Sequence, residues 1–200
     1  MSHRLLILPI FAALAFAASG CQLHNRAADA GFDLPPAPSA ATLPYSVSAM
    51  HVQFVGGKAF LYSPARVSFN DEASAVAPVV ASLKRLTATG QISPADSILL
   101  VYHDPSEDPA VPFDLEIGMP LRAAPTLPPP GFQVRPLPAF RCATLLYRGP
   151  LKLLNKAYDK LILEMIERGL VPSEETRENY LVWDEPDSPR NVVQIEVGIR

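Results

Sequence analysis

Leu99-Leu100-Val101-Tyr102-His103-Asp104-Pro105 recurs in this chain as Tyr180-Leu181-Val182-Trp183-Asp184-Glu185-Pro186. A short loop later, Asp114-Leu115-Glu116-Ile117-Gly118-Met119 recurs as Gln194-Ile195-Glu196-Val197-Gly198-Ile199. Both offsets are close to eighty residues, and the matches keep the same order and similar separation. Each copy reads as a hairpin: a β-rich run, a polar loop containing proline, then an alternating strand. The chain is therefore expected to consist of two structural copies.

A helix is expected before each hairpin. Leu151, Leu154, Tyr158, Leu161, Ile162, Met165 and Ile166 recur at helical spacing, charged residues occupy the other face, and Gly169 supplies the stop. In the first half Val76, Val79, Val80, Leu83 and Leu86 do the same less regularly, Gly90 ends the helix, and Pro78 is expected in its first turn. A strand precedes each helix, Ala59 to Phe69 and Phe140 to Tyr147. The fold class is thus α+β: two pseudo-symmetric strand-helix-strand-strand repeats, about 45–119 and 132–200, forming antiparallel sheets with one long helix each and a cleft between the halves. The proline-rich stretch Pro120 to Pro138 is expected to connect them.

The amino terminus carries a different message. Arg4 supplies a positive start, Leu5 to Ala18 form an apolar run broken only by Pro9, and Ala18-Ser19-Gly20 places small residues before Cys21. The run is shorter than the roughly 20 residues a membrane helix needs. It reads as a signal peptide, residues 1–20. It resembles the bacterial lipoprotein lipobox, with Ala18 where leucine is more usual, and that resemblance implies that Cys21 is the lipidated residue. The alternative is an ordinary secretory signal cut near Ala18 with Cys21 a free thiol. Gln22 in place of aspartate implies outer-membrane rather than inner-membrane residence, in the cell envelope facing the periplasm. Residues 21–44 read as a tether, because their alanine, proline and small polar residues cannot bury enough apolar surface to offset ordering entropy. With Cys21 acylated, Cys142 has no disulfide partner in the chain. The full-length charge of -3 becomes -4 once Arg4 is removed, with no basic run, so no nucleic-acid partner is expected.

The carboxyl-terminal half resembles the GyrI-like small-molecule-binding domain, also known as the effector-binding domain of AraC-type and multidrug-sensing regulators. The matching run is Tyr147-Arg148-Gly149-Pro150, the helix to Gly169, Arg177-Glu178-Asn179-Tyr180, and the hairpin through Ile199. The resemblance covers residues 45–200, with its specific motifs after Arg141. It implies a ligand cleft lined by aromatic and aliphatic side chains around one acid, Glu178, with Tyr180 on the same strand face and Tyr147 and Leu154 at matching positions. Tyr62 is added by symmetry alone. A carboxylate in an apolar cleft either pairs with a cationic ligand or takes up a proton, and aromatic faces attract the same cations. The alternative reading is a solvated Glu178 with tyrosines that only pack. Leu151 departs from the family's frequent aromatic at that position. Everything before Tyr45 reads as signal and tether, so a helix-turn-helix regulator is not expected.

Other chemistry is thin. His51 and His103 have no partner at metal-ligand spacing, and no metal is expected. Neither lies in a motif that would hold the haem suggested by the related SOUL fold, so no cofactor is expected. Cys142 alternates with its neighbours in a strand and reads as a packed thiol. Neither a G-x-S-x-G elbow nor a phosphate-cradling loop occurs, and no catalytic residue is assigned. Three functions remain: an envelope lipoprotein binding a small hydrophobic or cationic molecule, a hydrolase of a reactive compound using Glu178, and a structural lipoprotein with a closed cleft. Oligomeric state is not legible.

Overall fold

The computed structural model describes residues 35–37, 44–106 and 108–200; the signal segment, Cys21 and most of the tether lie outside them. Two short strands, β1 (Ser46–Val47) and β2 (His51–Val55), precede the first repeat. That repeat is β3 (Lys58–Val67), α1 (Glu72–Ala88), β4 (Ile98–His103) and β5 (Phe113–Leu121). After β6 (Gln133–Leu137), the second repeat follows as β7 (Phe140–Arg148), α2 (Asn155–Glu167), β8 (Pro172–Val182) and β9 (Val192–Ile199). The unit read from the sequence is present twice. Its strands merge into one antiparallel sheet in the order β1-β7-β9-β8-β4-β5-β3-β6, with β2 also on β7. The halves meet at β4 and β8, where Leu99 pairs with Asn179 and Leu100 with Glu178.

Both helices cover the same face of this sheet. Val76, Val80, Leu83 and Leu86 of α1 and Ala157, Tyr158, Leu161, Ile162 and Met165 of α2 share one core with Ile98, Leu100, Leu115, Ile117, Ile195 and Val197. Full burial of each large aliphatic side chain contributes about 1.5–3 kcal/mol, so this layer holds the halves together. Ile166, expected on the apolar face of α2, is instead exposed. Pro78 is also corrected: α1 starts at Glu72, which puts the proline inside the helix rather than in its first turn. The connector is more ordered than expected, because Pro120 ends up in β5 and residues 133–137 add β6 to the edge of β3. Of the expected tether, Pro36 accepts a hydrogen bond from the Ser46 hydroxyl at 2.6 Å.

Strand alternation sets the limits of the sequence repeat. In the second match Leu115 corresponds to Ile195, and both face the helices. The first match aligns Leu99 with Tyr180, yet Leu99 packs with Phe60 and Val101 on the opposite face while Tyr180 lies under the helices. A one-residue slip turns a strand over, so that match marks similar composition rather than structural equivalence. Gly118 and Gly198 are true counterparts. A Cβ on Gly118 would stand 2.3 Å from the Leu61 carbonyl oxygen and 2.6 Å from the Phe60 ring; one on Gly198 would stand 2.1 Å from the Ser173 hydroxyl, 3.1 Å from the Glu175 carbonyl oxygen and 3.3 Å from the Phe140 ring. Gly118→Ala is expected to cost about 3 kcal/mol, because a backbone carbonyl cannot step aside. A urea melt with a lowered midpoint and unchanged slope would show it.

The sheet is also curled. Val55 of β2 pairs with Phe140 of β7, and Lys58 of β3 pairs with Leu137 of β6. Both ladders keep one register, three residues apart on each strand, so β2-β3 and β6-β7 form a single ribbon interrupted at Gly56-Gly57 and Pro138-Ala139. Yet β7 and β3 lie on opposite sides of the sheet. Three Cα–Cα steps span at most about 11 Å, so the ribbon draws the two sides together on the face away from the helices.

Candidate functional site

Glu178 is the central residue of the helix-covered face. It lies on β8 at the seam between the halves, opposite Leu100 on β4 and Ile195 on β9. Its side chain has no exposed surface (0%). Three hydroxyls converge on the carboxylate: Tyr158 donates to Oε1 at 2.6 Å, Tyr180 to Oε2 at 2.7 Å, and Tyr102 lies 3.2 Å from Oε2. These tyrosines come from α2, β8 and β4, so both halves contribute. Alternation brings Tyr180 and Glu178 to one face two residues apart.

Tyr102 serves two acids. Its hydroxyl is 2.6 Å from Oε1 of Glu72, the first residue of α1, which is 3% exposed. A phenol has one proton, so Tyr102 can donate to only one carboxylate at a time. Both contacts are satisfied together when a proton resides on Glu72: its carboxyl donates to Tyr102, which donates to Glu178. Electrostatics agree with this arrangement. Burial, helped by the neighbouring Glu178 charge, pushes the Glu72 carboxyl up to about 8. Burial also raises Glu178, against the pull of its three tyrosine hydrogen bonds. Tyr102, Tyr158 and Tyr180 are all raised, first by burial and then by the Glu178 charge, so they stay protonated donors. Among the described residues no cationic side chain bonds to either acid.

The expected residues fall into three groups. Glu178 and Tyr180 are joined directly. Tyr147 and Leu154 are buried in the same apolar core, but the Tyr147 hydroxyl is engaged 2.5 Å from the Pro150 carbonyl and its ring stacks on Tyr45. Tyr62 is on the wrong face for this site. It stacks on Phe60 and bonds Gln133 at 3.0 Å, while the alternating Leu61 points to the helices. Symmetry misled here because its counterpart across the repeat is Cys142, paired with Gly198 as Tyr62 is with Gly118. Sequence reading missed Glu72, Tyr102 and Tyr158 as site residues. Tyr158 was visible only as part of a helix stripe, and Tyr102 only as part of the repeat. Glu72 gave no signal, since a helix was expected to start after it. Cys142 is buried as expected, its thiol pushed up to about 12 chiefly by burial. His103 lies 3.4 Å from Glu116 rather than at a ligand cluster, and no group of three metal-ligating side chains occurs among the described residues.

Residues 53–200 match the GyrI-like small molecule binding domain. The chain belongs to this family. Solved structures share the fold of this GyrI-like domain at low sequence identity. EcmrR in a DNA complex matches with TM-score 0.62 and 16% identity over 80% of this chain, which spans 59% of the EcmrR chain. SAV2435 bound to tetraphenylphosphonium matches with TM-score 0.57 and 10% identity, over 76% of this chain and 94% of that one. A hydrolase from Listeria innocua matches with TM-score 0.54 and 10% identity, over 88% and 98%. No curated protein matches the GyrI-like chain in sequence.

Proposed function

We propose that this GyrI-like domain captures a small lipophilic cation through Glu178. The observation that carries the reading is a fully buried carboxylate ringed by three tyrosine hydroxyls, with a second buried acid one hydroxyl away and no cation bonded to either among the described residues. Two acids in an apolar enclosure are costly to ionise together. A cation with aromatic substituents offsets that cost, and the tyrosine rings add cation–π attraction. SAV2435, of the same fold, has been captured with tetraphenylphosphonium, a cation of this type. Because Glu178 is sealed from solvent, the helix-covered face has to open to admit it.

The test is a titration of the chain with tetraphenylphosphonium and with neutral triphenylphosphine oxide. Saturable binding of the cation at least tenfold tighter than the oxide is expected; equal affinity or no binding contradicts the reading. Turnover of a hydrolysable ester or epoxide, lost in Glu178→Gln, would instead favour hydrolysis, the alternative suggested by the Listeria fold relative. We further propose that the domain works from the cell envelope, held at the outer membrane by a lipid on Cys21, for which the lipobox-like Ala18-Ser19-Gly20-Cys21 is the support. Cys21→Ala is then expected to leave an unacylated precursor, seen by mass and by loss of partitioning into detergent. Wild-type chain recovered without lipid on Cys21 contradicts the anchor.

A further inference from the structure

Two five-residue strands lie on the rims of the sheet. β2 (His51–Val55) pairs with β7 alone, and β6 (Gln133–Leu137) pairs with β3 alone. An edge strand carries N–H and C=O groups along one side that no ladder uses, and such an edge templates pairing with another chain unless charge or proline blocks it. β6 is blocked, because Pro136 has no N–H to give and Arg135 adds a charge. β2 is not. His51-Val52-Gln53-Phe54-Val55 holds no proline, acid, lysine or arginine, and among the described residues no backbone bond beyond the β7 ladder reaches it.

The same edge leaves apolar side chains in water. Val52 pairs with Ala143, which lies in the core under α2, so Val52 and Phe54 alternate onto the helix-covered face. They are 37% and 71% exposed. Their pattern is complementary to itself. A second copy related by a twofold axis normal to the sheet runs antiparallel to β2, and residues that face each other share a sheet face. With the axis on Gln53, all five residues pair: Val52 faces Phe54 of the second copy, Phe54 faces its Val52, His51 faces its Val55, and Gln53 faces its own counterpart. An axis on Val52 or on Phe54 pairs only three. Charge selects the same partner, since this register sets no like charges opposite each other, whereas a charged peptide finds no counter-charge on the strand.

We propose that β2 is a dimer edge, at which two copies of this chain join into one continuous sheet in the order β7-β2-β2-β7. Stable interfaces bury about 1,200–2,000 Å². Five residues with two exposed apolar side chains from each copy do not reach that area, so the dimer is reversible and separates on dilution. Glu178 lies three strands away, on β8, so each copy keeps its own cation site.

The experiment is oxidative cross-linking of the full chain in nonionic micelles, with empty micelles in excess so that no two chains are forced together. Cys21→Ala and Cys142→Ala remove both native thiols, and one cysteine is then introduced at a time. Residues directly opposite in antiparallel strands stand about 4.5–5.5 Å apart, within the roughly 4.4–6.8 Å that a disulfide spans. Gln53→Cys is therefore expected to give a covalent dimer. His51→Cys and Val55→Cys each stand about 13 Å from their own counterpart; alone they are expected to give at least tenfold less, while an equal mixture of the two links position 51 to position 55. Phe54→Lys, at an exposed position where the fold is kept, is expected to lower the Gln53→Cys dimer at least tenfold. No covalent dimer at position 53, equal yields from the three single variants, or an unchanged yield with Phe54→Lys would overturn the proposal. An edge that serves a strand of another protein gives the first of these results.

Discussion

Glu178→Gln is expected to reduce affinity for tetraphenylphosphonium by about 100-fold while the domain stays folded. The substitution keeps the shape of the side chain and removes its charge. In a desolvated site, loss of one member of a charge pair costs about 2–5 kcal/mol, and 100-fold corresponds to about 2.7 kcal/mol. Stability is expected to be kept or to rise. The glutamine carbonyl still accepts from a tyrosine, its amide can donate to a second hydroxyl oxygen, and the cost of holding a carboxylate in an apolar enclosure is relieved. A site that trades stability for binding behaves in this way. Tyr158→Phe is a useful control: it removes one 2.6 Å donor but neither the ring nor the charge, so its effect should be far smaller. A thermal melt and the phosphonium titration on both variants check these outcomes; unchanged affinity in Glu178→Gln would remove the carboxylate from the site.

Glu72 should make stability fall as pH rises from about 5 to 8. Its carboxyl is held at about 8 in the folded chain against an ordinary 4.5, chiefly by burial. Between those values the unfolded chain has lost the proton and the folded chain keeps it, so raising the pH favours unfolding; below 4.5 Glu72 is protonated in both states and its own contribution is fully present. The loss amounts to a few kcal/mol by pH 8, on the order of 5–10 °C in Tm for a domain of this size. Glu196, raised to about 7 by burial, titrates in the same window. The informative quantity is therefore the difference between wild type and Glu72→Gln: equal Tm values near pH 4, and a higher Tm for the variant at pH 8. Parallel pH profiles would mean that Glu72 ionises freely in the folded chain.

The architecture was legible because two periodicities and one duplication agree. Helical spacing in 151–166 and alternation in 114–119 and 194–199 each fix a face, and the repeat fixes their order. Glu178 and Tyr180 were legible because a strand puts residues two apart on one side. Tyr102, Tyr158 and Glu72 were not, because they come from three other stretches of chain and meet Glu178 only when both halves pack. Tyr62 failed for a local reason: similarity of composition does not fix strand register, and one residue decides the face. The closure of the sheet was hidden too. It depends on β2 and β6, short edge strands of five residues whose polar and proline content gives little pattern.

The most direct measurement is calorimetric titration of wild-type chain with tetraphenylphosphonium at pH 7 in two buffers of different ionisation enthalpy. A cation beside Glu178 favours the ionised form of both acids, so the proton held between Glu72 and Glu178 should leave as the ligand enters. The expected result is release of close to one proton per bound cation, declining toward pH 9 and absent in Glu72→Gln. Saturable binding with the same heat in both buffers, or no saturable binding at all, would contradict a cation site built on this buried pair.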